Sequence, residues 1–117
     1  MAKELPATEN TPLKKEDNKG ACNNAASEKD FLKLRKKMAA KENDDEMIIE
    51  AKKEFRNKCY SVEQIRYLST LFLTSAAKYQ FFDAAFQHVS DRHNFASLQS
   101  EIRDDYYLRR FKALIGE

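Results

Sequence analysis

From Ser27 onward, large apolar residues recur three and four positions apart with polar residues between them, the pattern of helices that bury one face. Ser27, followed three positions later by Asp30, reads as an N-cap ahead of a face formed by Phe31, Leu34 and Met38. Asn43 with Glu46 repeats that capping box and precedes Ile48, Ala51 and Phe55. Ser61 with Gln64 gives a third box, ahead of Ile65, Leu68 and Phe72. Thr74 caps a fourth helix whose broad stripe is Tyr79, Phe82, Ala85, Phe86 and Val89. A fifth helix starts at Asp91 or Asn94 and carries Phe95, Leu98 and Ile102. A sixth starts at Asp104 or Asp105 and carries Tyr107, Leu108, Phe111, Leu114 and Ile115. Gly116 follows where a left-handed C-terminal residue belongs.

No segment alternates at period two for long enough to form a strand. The expected fold class is therefore all-α: a compact bundle of about six short helices, roughly 8–16 residues each, with consecutive helices paired as antiparallel αα-hairpins. The pattern does not extend to the first residues. All 8 Phe and all 5 Tyr lie at position 31 or later, and both prolines, Pro6 and Pro12, lie before it. Residues 1–21 read as a disordered leader or linker and 22–117 as a single helical domain. Lys3 and Glu4 stand where the apolar stretch of a secretory signal would begin, so the leader is not a signal peptide. Apolar runs such as Leu71-Phe72-Leu73 are far shorter than the roughly 20 residues of a membrane span.

Composition excludes more than it identifies. The 117 residues include 21 basic and 19 acidic ones, a net charge of +2 that selects no class of partner. Only 2 glycines rule out a Gly-rich phosphate loop. No nucleophile elbow, zinc-protease motif or calcium loop is present, so no catalytic residue and no cofactor is assigned and the chain reads as a non-enzyme. A hydrolase would require a nucleophile within hydrogen-bond reach of His88 or His93, which otherwise read as surface residues flanking the turn at Asp91. Cys22, Cys59, His88 and His93 lack the close cysteine spacing of a zinc finger, and no metal is expected. The cluster Asp44-Asp45-Glu46 suits the positive end of a helix dipole.

Two features leave alternatives open. Cys22 and Cys59 both fall at element boundaries. They form either a disulfide, worth roughly 3.5–4 kcal/mol for so long a loop, or two free thiols in a cytoplasmic protein. In the first helix, Lys29, Lys33, Lys36 and Lys37 oppose the apolar face. They form either a solvated surface or a contact for a polyanion, with no aromatic residue interleaved to stack a base, so nucleic acid is not the favoured partner. An exposed aromatic patch drawn from Tyr60, Tyr67 or Tyr106 would mark a protein-binding face.

Taken in order, several of these residues resemble one family. They are Cys22 and Phe31, then Ala51-Lys52, then Cys59-Tyr60-Ser61-Val62-Glu63-Gln64-Ile65. Phe81, Ala85 and Phe86 follow, and finally the turn Asp91-Arg92-His93-Asn94-Phe95. Over residues 22–117 the chain is similar to the domain of unknown function 4476 family, found mainly in secreted or periplasmic bacterial proteins. It departs from the family pattern at Leu73-Thr74-Ser75, at Asp83 and at Ile102-Arg103-Asp104. The resemblance implies an all-helical domain without catalytic residues and with Cys22 and Cys59 as a disulfide pair. It also implies a periplasmic or secreted location, whereas free thiols would indicate the cytoplasm. Asp91 and Asn94 are expected to cap a helix and shape a turn. The expected role is a non-catalytic interaction or structural module with another protein as partner. The alternative is a polyanion- or nucleic-acid-binding domain that uses the basic first helix.

Overall fold

The computed structural model describes residues 22–117, so the expected leader at 1–21 lies outside the described residues. Five α-helices follow one another: α1 (Glu28–Ala39), α2 (Asp44–Phe55), α3 (Val62–Ser69), α4 (Ser75–Ala85) and α5 (Asp105–Leu114). A short 3-10 turn, Phe86–His88, continues α4, and a 3-10 helix, Arg92–Glu101, stands before α5 where the fifth helix is expected. The all-α expectation holds. No helix among the described residues is long and apolar enough to cross a membrane.

Local chemistry explains most boundaries. Ser27 and Asp30 exchange the two bonds of a capping box, as do Ser61 and Gln64. Thr74 and Asp104 each accept the N–H three residues on. At Asn43 only half of the expected box forms: its side chain accepts the Glu46 N–H, and no return bond from Glu46 is made. After α5, Gly116 adopts φ 87° and its N–H donates to the Ala113 carbonyl, while the Glu117 N–H donates to Lys112. That is a Schellman ending, which needs the left-handed conformation glycine adopts without strain.

The fifth segment departs from expectation. It is a 3-10 helix, and Asp91 does not cap it with its side chain. The hydroxyls of Ser97 and Ser100 and the amide of Gln99 each donate to the carbonyl three residues back, at 2.8, 3.2 and 2.9 Å. A period of three then places Phe95 and Leu98 together in the core.

α1 packs on α2, α2 on α4, α4 on α5, and α3 on both α4 and the 3-10 helix. Between them runs a continuous aromatic core. Phe55 meets Tyr60 and Phe81, and Phe81 meets Phe72 and Phe82. Phe82 in turn meets Phe95 and Phe111 edge-on, and those two rings stack at 5.6 Å. Each such side chain contributes roughly 1.5–3 kcal/mol by burial.

Three extended stretches are laced side by side at one end of the bundle. Parallel bridges join Ala25 to Cys59 and Tyr60 to Val89. They are held by Ala26 N–H to the Cys59 carbonyl (2.8 Å), Cys59 N–H to Asn24 (3.0 Å), Tyr60 N–H to His88 (3.2 Å) and Ser90 N–H to Tyr60 (3.0 Å). Cys22 and Cys59 are joined as a disulfide, with Cα atoms 5.9 Å apart.

Candidate interaction surface

The residues singled out in the sequence fall into separate regions. Cys22 and Cys59 form the staple of the laced end. Nearby, Asp91 acts across the fold: one carboxylate oxygen accepts the Val62 N–H of α3 at 2.8 Å, and the other accepts the Asn94 side-chain amide at 3.0 Å. Asp91 therefore satisfies an orphan donor at the start of a helix 29 residues earlier, and Asn94 orients it.

Of the three tyrosines considered for an exposed patch, Tyr67 and Tyr106 are exposed and Tyr60 is not. Only 1% of Tyr60 is exposed, because Phe55 covers it and its backbone is pinned to Val89. Burial, followed by the negative charges of Glu54 and Asp30, pushes its hydroxyl up to about 12. The Asp30 carboxyl is held below the usual range, chiefly by the Ser27 N–H it accepts. His88 is half-buried and stacked on Phe55 at 5.8 Å rather than lying on the surface; His93 is exposed. Among the described residues, no group of three or more His, Cys, Asp or Glu is placed to hold a metal.

The basic face of α1 divides. Lys37 pairs with Glu54 at 3.5 Å. Lys29, Lys33 and Lys36 are exposed on one side of the helix, and Leu32, 52% exposed, lies beside them. Tyr67, the exposed aromatic of α3, leans on Phe31.

An open groove of about 430 Å³ separates α2 from α4. It is lined by Asp45, Ile48, Ile49, Lys52, Gln80, Asp83 and Ala84. Two carboxylates and one lysine share it with the half-exposed Ile49.

The most organised surface lies where the N-termini of α4 and α5 meet. The Ser75 hydroxyl accepts the N–H groups of Arg103 and Asp104, both at 3.1 Å, which fixes the start of α5 against the start of α4. Asp104 is committed to capping Tyr107. One turn into α5, the Arg110 guanidinium lies 4.9 Å from the Tyr79 ring centre and 5.7 Å from that of Tyr106, and it donates to the Tyr106 hydroxyl at 3.2 Å. Tyr107 completes the cluster, edge-on to Tyr106 and 6.0 Å from Tyr79. The bond to Tyr106, then the pull of the two tyrosines, raises Arg110 above the ordinary arginine value. Tyr106 is 51% exposed, and Leu73, two residues before Ser75, is 93% exposed. None of the ion pairs among the described residues involves Arg103, Arg109 or Arg110.

The sequence flagged Tyr106 but not this cluster. Tyr106 and Arg110, four apart on one helix, were legible as neighbours. Tyr79 joins them only through the packing of α4 on α5. No family model matches the chain, and comparisons with curated proteins and with solved structures give no significant match.

Proposed function

We propose that this chain is a non-catalytic helical interaction module that works outside the cytoplasm and binds another protein through the end where α4 and α5 begin. One observation carries the reading: a molecule that buries most of its aromatic residues leaves Leu73, just before α4, and Tyr106, against a fixed arginine on α5, in solvent. Tyrosine and arginine are the residue types that dominate binding energy at protein interfaces. The Cys22–Cys59 pair supports the extracytoplasmic part, since disulfides persist in oxidising compartments. The resemblance to the domain of unknown function 4476 family supports the non-catalytic and extracytoplasmic parts; the binding end itself contains Leu73-Thr74-Ser75 and Arg103-Asp104, where the chain departs from the family pattern.

The test is site-specific photo-crosslinking in the native cell, with the photoreactive residue placed at position 105, exposed at the start of α5, or, as control, at position 33. The expected result is one discrete adduct from position 105, lost in Leu73→Ser and absent from position 33. An adduct that forms equally from both positions, or that survives Leu73→Ser, overturns the reading. Alkylation without prior reduction should label neither cysteine; labelling of both would place the protein in a reducing compartment.

A second reading, polyanion binding by α1, is favoured by the exposed row of Lys29, Lys33 and Lys36 beside Leu32. It predicts heparin affinity that falls steeply with salt. The variant Lys33→Glu/Lys36→Glu spares the Lys37–Glu54 pair. Unchanged heparin binding by that variant rejects the reading.

A further inference from the structure

The Arg110 cluster has the construction of an anion receptor, and it deepens the reading of this end as a protein-binding face, on which it rests. Arginine carries five N–H donors in a planar fork. At Arg110 one of them donates to the Tyr106 hydroxyl at 3.2 Å and the Tyr79 side chain takes a weaker share, which leaves most of the fork without a partner among the described residues. The group is held on the faces of Tyr79 and Tyr106, so the rings fix its plane and leave its remaining edge for a ligand. Ordinary surface arginines lose side-chain entropy when they bind; this one has lost part of that freedom already.

The surroundings define which anion fits. No carboxylate among the described residues lies within ion-pair distance of Arg103, Arg109 or Arg110. Asp104 and Asp105 nevertheless stand at the same helix start, exposed. They oppose a nucleic-acid backbone, which would bring many closely spaced phosphates past them, but leave room for single carboxylates. Leu73 and Tyr106 add an exposed apolar flank that a phosphate or sulfate would not use.

We propose that Arg110, positioned by Tyr79 and Tyr106, binds a carboxylate side chain in an acidic, apolar segment of the partner protein. Leu73 and the Tyr106 ring take that segment's apolar residues. A bidentate fork-to-carboxylate contact supplies the selectivity.

The test uses the full chain and two short fluorescein-labelled peptides. One carries a single aspartate flanked by leucine and phenylalanine; its twin carries asparagine in place of that aspartate. Fluorescence anisotropy should show the acidic peptide binding at least about tenfold more tightly, roughly 1.4 kcal/mol. Arg110→Gln should abolish the difference. Arg110→Lys, which keeps the charge and loses the fork, should reduce it severalfold. Lys33→Glu, in the separate basic row of α1, should leave it unchanged.

Equal binding of the two peptides by the unaltered protein overturns the proposal without requiring any variant to fold. So does a preference that survives Arg110→Gln, one lost in Lys33→Glu, or tighter binding of single-stranded DNA that also depends on Arg110. Retention of the position 105 crosslink with no preference for the acidic peptide removes the carboxylate assignment alone. Loss of the crosslink removes the protein-binding reading as well.

Discussion

Replacing Asp91 with alanine tests the least local feature of the fold. Its carboxylate accepts the Val62 N–H at 2.8 Å, and Val62 is buried, so water has little access to the donor once the carboxylate is gone. The loss combines a charge-assisted bond to a helix-start amide with the attraction between a negative group and the positive end of α3. Together these give about 2 kcal/mol, taking caps at ~0.5–2 and the dipole at ~0.3–1. A domain of this size should then melt roughly 10 °C lower. Asp91→Asn keeps an acceptor and removes the charge, so about half the loss is expected. Asn94→Ala removes only an exposed side-chain partner and should cost less than about 0.5 kcal/mol. Urea denaturation measures the three costs, and amide hydrogen exchange locates them. In Asp91→Ala the Val62 amide should lose protection, while amides 93–95 keep theirs. The reasoning fails if Asp91→Ala costs no more than Asn94→Ala, or if the lost protection appears within the 3-10 helix instead.

Other consequences can be checked independently. Reduction of Cys22–Cys59, or Cys22→Ser/Cys59→Ser, frees a 37-residue loop. It should cost about 3.8 kcal/mol and lower the melting temperature by roughly 20 °C; a shift below about 5 °C by scanning calorimetry would falsify the loop-entropy account. Because the Tyr60 hydroxyl is raised to about 12 in the folded protein, the folded state holds its proton where the unfolded chain releases it. Stability contributed by the neutral Tyr60 is therefore complete below about pH 10 and lost by about pH 12, at most about 2–3 kcal/mol. Denaturation of Tyr60→Phe should lack that portion of the alkaline slope. Phe82→Ala empties a fully buried site between Phe81, Phe95 and Phe111 and should cost about 3–5 kcal/mol in urea unfolding.

What was legible in the sequence was local. Ser27 with Asp30 and Ser61 with Gln64 announce helix starts because both partners of each box lie within four residues. The apolar stripes of α1 to α3 are buried as their spacing implies; of the fourth, Tyr79, Phe82, Ala85 and Val89 are buried and Phe86 is half-buried beyond the end of α4. The 3-10 helix was misread because Phe95, Leu98 and Ile102 fit an α-helical face. The contrary signal was the hydroxyl ladder of Ser97 and Ser100 at spacing three. The helix that Asp91 caps and the burial of Tyr60 were not legible, for a different reason. Both depend on segments 22–26, 57–62 and 88–91 meeting side by side, and no short-range pattern encodes such a meeting. The candidate site was legible only in part. Tyr106 and Arg110 are four apart, whereas Tyr79 reaches them through tertiary packing and Ser75 through bonds to backbone 28 and 29 residues away.

The disulfide also determines how the domain bears mechanical load. A force applied through the residues before Cys22 passes along the sulfur bridge to Cys59 and on to the Tyr60–Val89 bridge. Helices α1 and α2 lie inside the bridged loop and carry no tension while the bond is intact. About 13 nm of contour length, taking 37 residues at ~3.4 Å each, stays hidden from the pull. Reduction transfers the load to α1, which would then unravel from its capped end at Ser27. In the oxidised state, a tethered molecule of this kind yields first in its second half, at α3 to α5, and the first hairpin stays folded on its staple.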